Sequence, residues 1–576
     1  MITGLSLSSL LATWRAAVAG TNHPQPPAYD GPDVALTGFT EKSGEVEPGM
    51  AFIARVRAGS DGHPYIGDAL ARGASLILAQ QPPEAAGVVV PPGVAYMTVP
   101  DTAEAQAWLA AAGEDFPSRD LVVIGITGTD GKTTTANILH AILRAAGLRA
   151  GLLSTIRAII GDEEEPLALH VTTPEAPVVQ RYLRRMVAAG LTHVILETTS
   201  HALAQSRVAA VAFDVAVVTN ITHEHLDYHG SYEAYFAAKR RLFAALLDDP
   251  LRMPSANPRK AATPRTAVLN RDDASYAPLA AFLAGRPVDV RAYGQRPGET
   301  ALDAWAEAVA YEPGTTRLLL RLRGQAEPLP VSSALVGGFN VDNMLAASAA
   351  AAALGIPPEA IRAGLEAVRA LSGRMERIDR GQPFLVLVDF AHTPNALDQA
   401  IGAARRMADP SPYPPPKGRG DSLPRPPGEG WGEGRSLGRV ITVFGSAGKR
   451  DVAKRALMAG SSVRAADLTV LTAEDPRTES LDAILATMAA AARAAGGVEG
   501  ETFWRVADRG QAIYFALSLA RPGDVVLVCG KGHERSMAFG AIEYPWDDRA
   551  ATRAALDALM AGQPMVNLGL PTFGEG

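Results

Sequence analysis

The sequence predicts an α/β fold built around a doubly wound, mostly parallel sheet, and three observations carry that prediction. A short apolar run, Leu121 to Ile126, leads into a glycine-rich turn and then a helix-spaced segment. Apolar strands and helices keep alternating between residues 119 and 370, and a further alternating block starts near Gly373. Strands that alternate with helices bury both faces of a parallel sheet, so their sequences read as continuous apolar runs.

Taken in order, residues 1–118 read as a small α/β module. Pro48-Gly49 precedes Ala51-Phe-Ile-Ala-Arg-Val56, a helix lies near Ile66 to Arg72, and Ser75-Leu-Ile-Leu-Ala79 is a strand. Residues 119–370 open with the glycine-rich turn; Asn137 to Ala146 has helical spacing and Gly147 is a natural stop. Strands follow at His193 to Leu196 and Val215 to Asn220, with a long alanine-rich helix from Val341 to Leu354. Residues 371–562 carry strands at Phe384 to Val388, Val440 to Phe444, Leu468 to Thr472 and Val525 to Val528. Between them, residues 410–434 contain eight Pro and six Gly, a level that marks low complexity and predicts a disordered surface insertion. A disordered tail is expected over 563–576. The stretch Asp249 to Thr266, with Arg252, Arg259, Lys260 and Arg265, reads as a solvated basic loop.

At 576 residues the chain is too long for one core and predicts three domains. Hydrophobic residues at 47% and charged residues at 20% exclude wholesale disorder. A net charge of −7 leaves no broad basic field, which excludes nucleic acid as the main partner. Cys529 is the single cysteine, so no internal disulfide can form, as suits a reducing compartment. No run approaches the ~18 apolar residues of a membrane span. A cytoplasmic protein without membrane partners is expected.

The chemistry gathers around the glycine-rich turn. Gly128 and Gly131 let the backbone fold so that several N–H groups face one anion, Lys132 adds a positive charge, and the Thr133 hydroxyl can ligate Mg²⁺. This is a phosphate cradle for a nucleoside triphosphate. The general pattern wants glycine at position 126, where this chain has Ile126; its upstream glycine is Gly125, one place early. Glu197 ends the strand from His193, at the edge where open sheets place ligands. Thr219-Asn220 leads into His223-Glu-His-Leu-Asp-Tyr-His-Gly230, a stretch dense in metal-capable side chains. Glu197, His225 and Thr133 together suit Mg²⁺, a hard cation that takes few protein ligands beside phosphate oxygens. Taken alone, His225 reads equally as a loop-filling histidine, and Lys239 as a solvated helix lysine.

The ordered set of motifs resembles the Mur ligase family over nearly the whole chain. The motifs are Gly125-Ile-Thr-Gly-Thr-Asp-Gly-Lys-Thr-Thr134, Glu197-Thr-Thr-Ser-His-Ala-Leu203, Thr219 to Gly230, Asn270-Arg-Asp-Asp273, Gly338-Phe-Asn-Val-Asp-Asn343, Gly373-Arg-Met-Glu376 and Asp389-Phe-Ala-His-Thr-Pro394. Thr172-Thr-Pro174, Ser200-His-Ala-Leu203 and Gly530-Lys-Gly-His-Glu534 resemble the MurE type within it. The resemblance implies a three-domain Mur ligase architecture: an N-terminal UDP-substrate domain, a central P-loop domain with a doubly wound sheet, and a C-terminal Rossmann-like domain for the amino acid. It implies an ATP-dependent ligase adding the third residue of the peptidoglycan stem to a UDP-N-acetylmuramoyl dipeptide, working as a monomer.

By the same resemblance, Thr127, Gly128, Thr129, Asp130, Gly131, Lys132, Thr133 and Thr134 hold the ATP phosphates. Thr133 and Glu197 serve one Mg²⁺, and His225 and Lys239 a second, with Lys239 carried as N-carboxylysine. Asn270, Asn340, Arg374, Asp389 and His392 line the nucleotide. Arg374 joins Lys132 in neutralising charge that develops as two anions meet. Thr172, Thr173, Thr199, Gln205 and Arg207 match positions that hold the muramoyl dipeptide, and Ser43 a uridine-side serine. Two positions depart from the family: Lys42-Ser-Gly44 replaces Asp-Ser-Arg, and Thr199 replaces a serine.

The amino acid is read by implication from one loop. MurE-type enzymes that use meso-diaminopimelate carry Asp-Asn-Pro-Arg, whose arginine pairs with the distal carboxylate; here the loop is Glu474-Asp475-Pro476-Arg477. Arg450, Gly530 and Glu534 stand at the other expected positions. Arg477 favours diaminopimelate, because lysine and ornithine offer no distal carboxylate to a guanidinium. Asp475 in place of asparagine pulls the other way, toward a bare ammonium. Diaminopimelate is the expectation, with lysine or ornithine as the alternative. A folylpolyglutamate synthase shares the ATP loop but lacks the Ser-His-Ala-Leu and His-Leu-Asp-Tyr-His-Gly motifs. A Mur-like binding protein without chemistry would not need Lys132, Glu197, His225 and Lys239 together.

Overall fold

A computed structural model describes residues 4–57, 60–167, 172–222, 224–295, 301–312, 314–369, 371–408, 438–449 and 452–573. The expected insertion at 410–434 and the candidate Arg450 lie outside these residues. The chain forms two compact units, the first holding residues 1–305, 321–327 and 343–364, the second 306–320, 328–342 and 365–576.

In the first unit, the N-terminal module is a four-stranded parallel sheet in the order Gly38–Thr40, Met50–Ile53, Leu76–Ala79, Ala95–Thr98. Helices Leu7–Val18 and Thr102–Gly113 cover it, with the rings of Trp14 and Trp108 stacked at 5.8 Å. The larger sheet of this unit runs Glu163–Pro166, Arg157–Ile160, Ala150–Leu153, His193–Glu197, Val122–Thr127, Val215–Val218, Thr266–Asn270, Asp289–Gly294. From Ala150–Leu153 through Asp289–Gly294 every pairing is parallel, as the alternation predicts. Val122–Thr127 is buried along its whole length because neighbours cover both faces. It lies between His193–Glu197 and Val215–Val218, so the carboxyl ends of three strands converge on the glycine-rich turn. The far edge is antiparallel and acidic: Glu163-Glu-Glu-Pro166 exposes charge that discourages pairing with another chain.

The basic stretch from Asp249 is only partly solvated: Arg252 and Arg259 are exposed as expected, and Lys260 and Arg265 are not. Lys260 Nζ donates to the buried Asp214 carboxylate at 2.6 Å and to the Ala212 carbonyl at 2.7 Å. Arg252 donates to the carbonyls of Ala19 and Gly20, both at 3.1 Å, clasping the N-terminal module to the larger sheet. Asp214 also accepts from Val123 N at 2.8 Å, so a buried carboxylate fixes the start of the phosphate-loop strand.

The second unit holds a six-stranded sheet in the order Glu376–Arg377, Leu385–Asp389, Val525–Cys529, Val440–Phe444, Leu468–Leu471, Phe503–Arg505. Only the first pairing is antiparallel. Its carboxyl edge carries the loops that begin at Asp389, Gly445, Thr472 and Gly530. The tail, expected to be disordered from 563, packs as far as Phe573: Met565 and Leu570 are buried against the sheet's core, and Thr572 Oγ1 donates to Asp508 Oδ2 at 3.0 Å. Single apolar anchors without periodicity suffice to order it, and no sequence pattern announces them.

Candidate active site

The phosphate loop is shaped by close approach as much as by glycine's freedom. At Gly128 (φ +152°) a Cβ would meet Thr219 Oγ1 at 1.8 Å, and at Gly131 (φ +83°) it would meet Asn343 Oδ1 at 2.2 Å. No larger residue fits either place. The helix begins at Lys132, a full turn before the apolar spacing suggested, and its first-turn threonines 133, 134 and 135 are buried. Thr129 N and Thr219 N tie the loop to Asn220 O and Thr127 O at 2.7 and 3.0 Å. Asp130 N donates to Asn220 Oδ1 at 3.0 Å.

Glu197 is buried, and four contacts define its carboxylate. Thr133 Oγ1 reaches Oε1 and Oε2 at 2.9 and 3.1 Å, Thr155 N donates to Oε2 at 3.0 Å, and Thr155 Oγ1 donates to Oε1 at 3.0 Å. A hydroxyl and a carboxylate held together at the mouth of a phosphate loop form a pair of hard oxygens, the kind of donor that Mg²⁺ takes beside water and phosphate. Thr155 gave no signal in the sequence.

Two lysines converge on one carbonyl. Lys132 Nζ donates to Gly128 O at 3.0 Å and Thr129 O at 2.8 Å, while the buried Lys239 Nζ donates to Gly128 O at 2.5 Å. Lys239 is not solvated as its helix position alone suggested. Burial, with the Lys132 ammonium beside it, holds its amine well below the usual lysine range against the pull of Glu224 and Asp130. Its Nζ lies 4.6 Å from the Tyr235 ring centre, and the His225 ring lies 6.4 Å from the same ring. Tyr235 Oη in turn pairs with Thr129 Oγ1 at 2.9 Å. His225 itself sits at φ +55°, opening the short helix Leu226–His229. Among the described residues no cluster of three His, Cys, Asp or Glu side chains has metal-binding geometry.

Beside this lies a polar network from the expected dipeptide residues. Thr173 Oγ1 donates to Glu197 O at 2.9 Å and accepts from Thr199 N at 3.1 Å, and Thr199 Oγ1 caps the helix Ser200–Ala204. Arg207 donates to Thr173 O and Gln205 Oε1, both at 2.8 Å, and pairs with Glu175 at 2.7 Å. Gln205 Nε2 donates to Tyr228 Oη at 3.0 Å. Thr172 is half-buried next to Thr173. Arg55, which no motif singles out, is buried in the N-terminal module; it reaches Gln205 O at 3.3 Å and pairs with Glu41 at 2.9 Å. Ser43 makes none of the bonds of this network; it opens the turn Ser43–Glu45 in the N-terminal module. Asn270 spends its amide on Thr219 O at 2.7 Å and Asp272 N at 3.0 Å.

The other nucleotide-side candidates belong to the second unit. Asp389 accepts from Met375 N at 2.7 Å and Ala391 N at 2.8 Å, fixing two loops at the end of its strand. The Arg374 guanidinium lies 4.5 Å from the Phe390 ring centre, and His392 and His533 pack on that ring at 4.4 and 4.7 Å. Burial and the nearby Arg374 cation push His533 down to about 3, so it is neutral at physiological pH. Asn340 Nδ2 donates to Val336 O at 2.8 Å.

The loop Glu474–Arg477 stands at the carboxyl edge of the same unit. Asp475 and Arg477 both adopt positive φ, 41° and 55°. Gly448 N donates to Asp475 O at 2.9 Å, and a Cβ at Gly448 would meet Pro476 O at 1.9 Å. Behind the loop, Arg509 and Asp548 form a wholly buried pair at 2.7 Å, and Arg509 also donates to Ala473 O at 3.1 Å and Cys529 O at 2.8 Å. One unsuspected arginine thus fixes the residues that precede Glu474 and Gly530.

Glu474 is buried, its Oε2 has no hydrogen-bond partner among the described residues, and a Cβ at Gly530 would meet that oxygen at 2.3 Å. Burial raises its carboxyl to about 7 despite Arg509, Lys454 and Lys531. Between the unfolded value near 4.5 and about 7 the folded chain keeps a proton that the unfolded chain releases, so stability falls as pH rises through that window. Above it the ionised carboxyl costs the fold about 3 kcal/mol. Glu474→Gln is therefore expected to gain melting temperature over the wild type at pH 8 and little or none at pH 5. Equal differences at the two pH values would contradict a buried, proton-holding Glu474.

Residues 126–351 match the family described as the Mur ligase middle domain, and residues 430–532 that described as Mur ligase, glutamate ligase domain. The chain is 40% identical over 536 residues to the UDP-N-acetylmuramyl-tripeptide synthetase of Roseiflexus sp. (strain RS-1), spanning 92% of this chain and 96% of that one. It is 37% identical over 550 residues to the UDP-N-acetylmuramoyl-L-alanyl-D-glutamate–2,6-diaminopimelate ligase of Geobacter metallireducens, spanning 92% and 97%. A solved structure of a UDP-N-acetylmuramoyl-L-alanyl-D-glutamate–2,6-diaminopimelate ligase superposes with a TM-score of 0.58 at 27% identity, over 93% of this chain and 98% of that one.

Proposed function

The chain belongs to the Mur ligase family, and from that premise we infer that it is the ATP-dependent ligase that adds the third amino acid to UDP-N-acetylmuramoyl-L-Ala-D-Glu in peptidoglycan synthesis. The observation that carries the chemistry is the convergence of Lys132 and Lys239 on Gly128 O, with the Thr133–Glu197 pair held at the same loop. The carboxylate of the dipeptide attacks the γ-phosphorus of ATP; an O–P bond forms, the bond to the β-bridging oxygen breaks, and ADP leaves. The amine of the incoming amino acid then attacks the acyl carbon, the C–O bond to phosphate breaks, and the nitrogen loses a proton.

The first step brings two anions together, and Lys132 and the loop N–H groups lower its barrier by holding and neutralising the phosphates. Thr133 and Glu197 would hold one Mg²⁺, and His225 and Lys239 a second. When bound, these ions supply further charge neutralisation on the transferring phosphoryl group. We assign Lys239 as an N-carboxylysine: its amine, held neutral by burial and Lys132, attacks the carbon of CO₂, forms an N–C bond and releases a proton. The product is an anion where a buried cation would sit against Lys132. Thr172, Thr173, Thr199, Gln205 and Arg207 would hold the dipeptide, with Ser43 on the uridine side. Asn270, Asn340, Arg374, Asp389 and His392 would line the nucleotide. A cytoplasmic site of action fits a UDP-linked substrate, and among the described residues no helix is long and apolar enough to cross a membrane.

The amino acid we propose is meso-diaminopimelate. Relatives named as diaminopimelate ligases support it. So does the loop, because among the described residues Asp475 pairs with Lys531, and Arg477 makes no ion pair with Glu474 or Asp475. Hydrogen bonds to a charged group contribute about 1.5–3 kcal/mol, so Arg477→Ala is expected to raise KM for diaminopimelate by ~10–100-fold and to change that for lysine little. Steady-state kinetics with both amino acids checks this. An equal rise for both would remove Arg477 from specificity, and a wild type that prefers lysine or ornithine would overturn the assignment.

A further inference from the structure

Lys531 is 2% exposed, an unusual place for an ammonium, and its three donors go to carboxylates. It donates to both oxygens of Asp475, at 2.9 and 3.0 Å, and it pairs with Glu534. Burial pushes its amine down, but Glu534 and Asp475 together more than offset this, and Lys531 stays charged. Asp475 is further spent on Ala538 N at 2.9 Å. The backbone on either side is fixed as well, with Arg477 N on Ala538 O at 3.0 Å and Gly540 N on Arg477 O at 2.6 Å. Asp475 is thus an internal clamp at positive φ, with a buried cation assigned to it.

The charges decide what such a loop can read. Asp475, Glu534, Lys531 and Arg477 sum to zero, and the two acids share Lys531. That leaves the Arg477 guanidinium as the group available to a carboxylate. Take Lys531 away and the same loop holds two acids against the single Arg477 cation beside Glu474, an excess of negative charge that attracts a bare ammonium.

We propose that Lys531 is a specificity-positioning residue: its ammonium cancels Asp475 and pins the loop, so that Arg477, and not the acid at 475, reads the far end of the amino acid. This rests on the ligase reading and goes beyond it, because it assigns the discrimination to a residue that need not touch substrate. It also accounts for an acid at 475 being compatible with a substrate that ends in a carboxylate.

The test compares kcat/KM for diaminopimelate and for lysine in the wild type, Lys531→Met, Asp475→Asn and the double variant. Leaving the half-buried Asp475 without its cation is costly, so the diaminopimelate-to-lysine ratio is expected to fall roughly tenfold or more in Lys531→Met. It should stay within about threefold of wild type in Asp475→Asn and return there in the double variant, whatever the absolute rates, since contacting residues are non-additive. Lys531→Arg should hold the ratio. A purely structural lysine would lower both specificity constants in parallel, leave the ratio unmoved and gain nothing from the second substitution; that result overturns the proposal. Should Lys531→Met fail to fold, the double variant carries the test. It is expected to fold and keep the wild-type ratio, and an unfolded or unselective double variant overturns the proposal too. A wild type that makes no UDP-linked product with either amino acid overturns the ligase reading itself, whereas an active, selective enzyme with an unmoved ratio removes only Lys531.

Discussion

Lys132→Ala is expected to lower ADP formation by at least ~10²–10³-fold, the loss seen when one preorganised electrostatic donor is removed from a site of charge development. The fold should survive. Lys132 is half-buried, and the two carbonyls it serves, Gly128 O and Thr129 O, lie at the mouth of the loop. Gly128 O keeps Lys239 as a donor after the substitution. The net loss is near that of one hydrogen bond, about 1 kcal/mol, or ~1–2 °C in melting temperature for a unit of this size. ADP release measured beside a thermal melt separates the two effects. Unchanged turnover would remove the lysine from phosphate binding, and a collapse of the melt would make its role structural.

Lys239→Ala should be nearly inactive, by on the order of 10²–10³-fold, for a different reason. Lys132 sits at the phosphates as a cation; Lys239 is proposed to act as an anion. Two ammonium groups against one carbonyl, with the second fully buried, is an arrangement that burial and repulsion both oppose. Carbamylation reverses the sign at Lys239 and gives a carboxylate-like pair of oxygens. The vacated position in Lys239→Ala should therefore accept a short-chain carboxylate such as formate, with partial recovery of rate. Alanine substitution without rescue by any small carboxylate, together with an unmodified amine at Lys239 in a well-ordered metal-bound crystal structure, would falsify the assignment.

The central strands are legible in the sequence because burial on both faces demands unbroken apolar runs. Val122–Thr127, Val440–Phe444 and Val525–Cys529 each show such a run in their residues alone. Edge elements are not legible. Glu163-Glu-Glu-Pro166 has no apolar alternation and is a strand only because Arg157–Ile160 offers it a ladder. The helix at Lys132 begins earlier than its apolar spacing suggests, since Thr133, Thr134 and Thr135 are weak helix formers that tertiary packing buries.

Among the candidate residues, Glu197 stands out in the sequence because it closes a strand at the ligand edge, and Thr133 because it follows a glycine-rich turn. Arg55 and Arg509 carry no local signal, and Lys531, although it lies inside the Gly530–Glu534 motif, gives none of its bond to Asp475. Their partners are 150, 39 and 56 residues away in sequence, and an arginine or lysine read without its partner looks like a solvated charge. The same blindness makes the stretch from Asp249 read as solvent-facing when Lys260 in fact meets Asp214, 46 residues earlier. Asp475 is the sharpest instance: taken alone it argues for a bare-ammonium substrate, and its bonds to Lys531 remove that argument.

The most direct measurement is product formation. Purified wild-type chain is supplied with ATP, Mg²⁺, UDP-N-acetylmuramoyl-L-Ala-D-Glu and, in separate reactions, meso-diaminopimelate, L-lysine or L-ornithine, and the UDP-linked products are identified by mass spectrometry. The expected result is a UDP-linked tripeptide, formed fastest with diaminopimelate, with ADP and phosphate released in step. No UDP-linked tripeptide with any of the three amino acids would contradict the ligase reading.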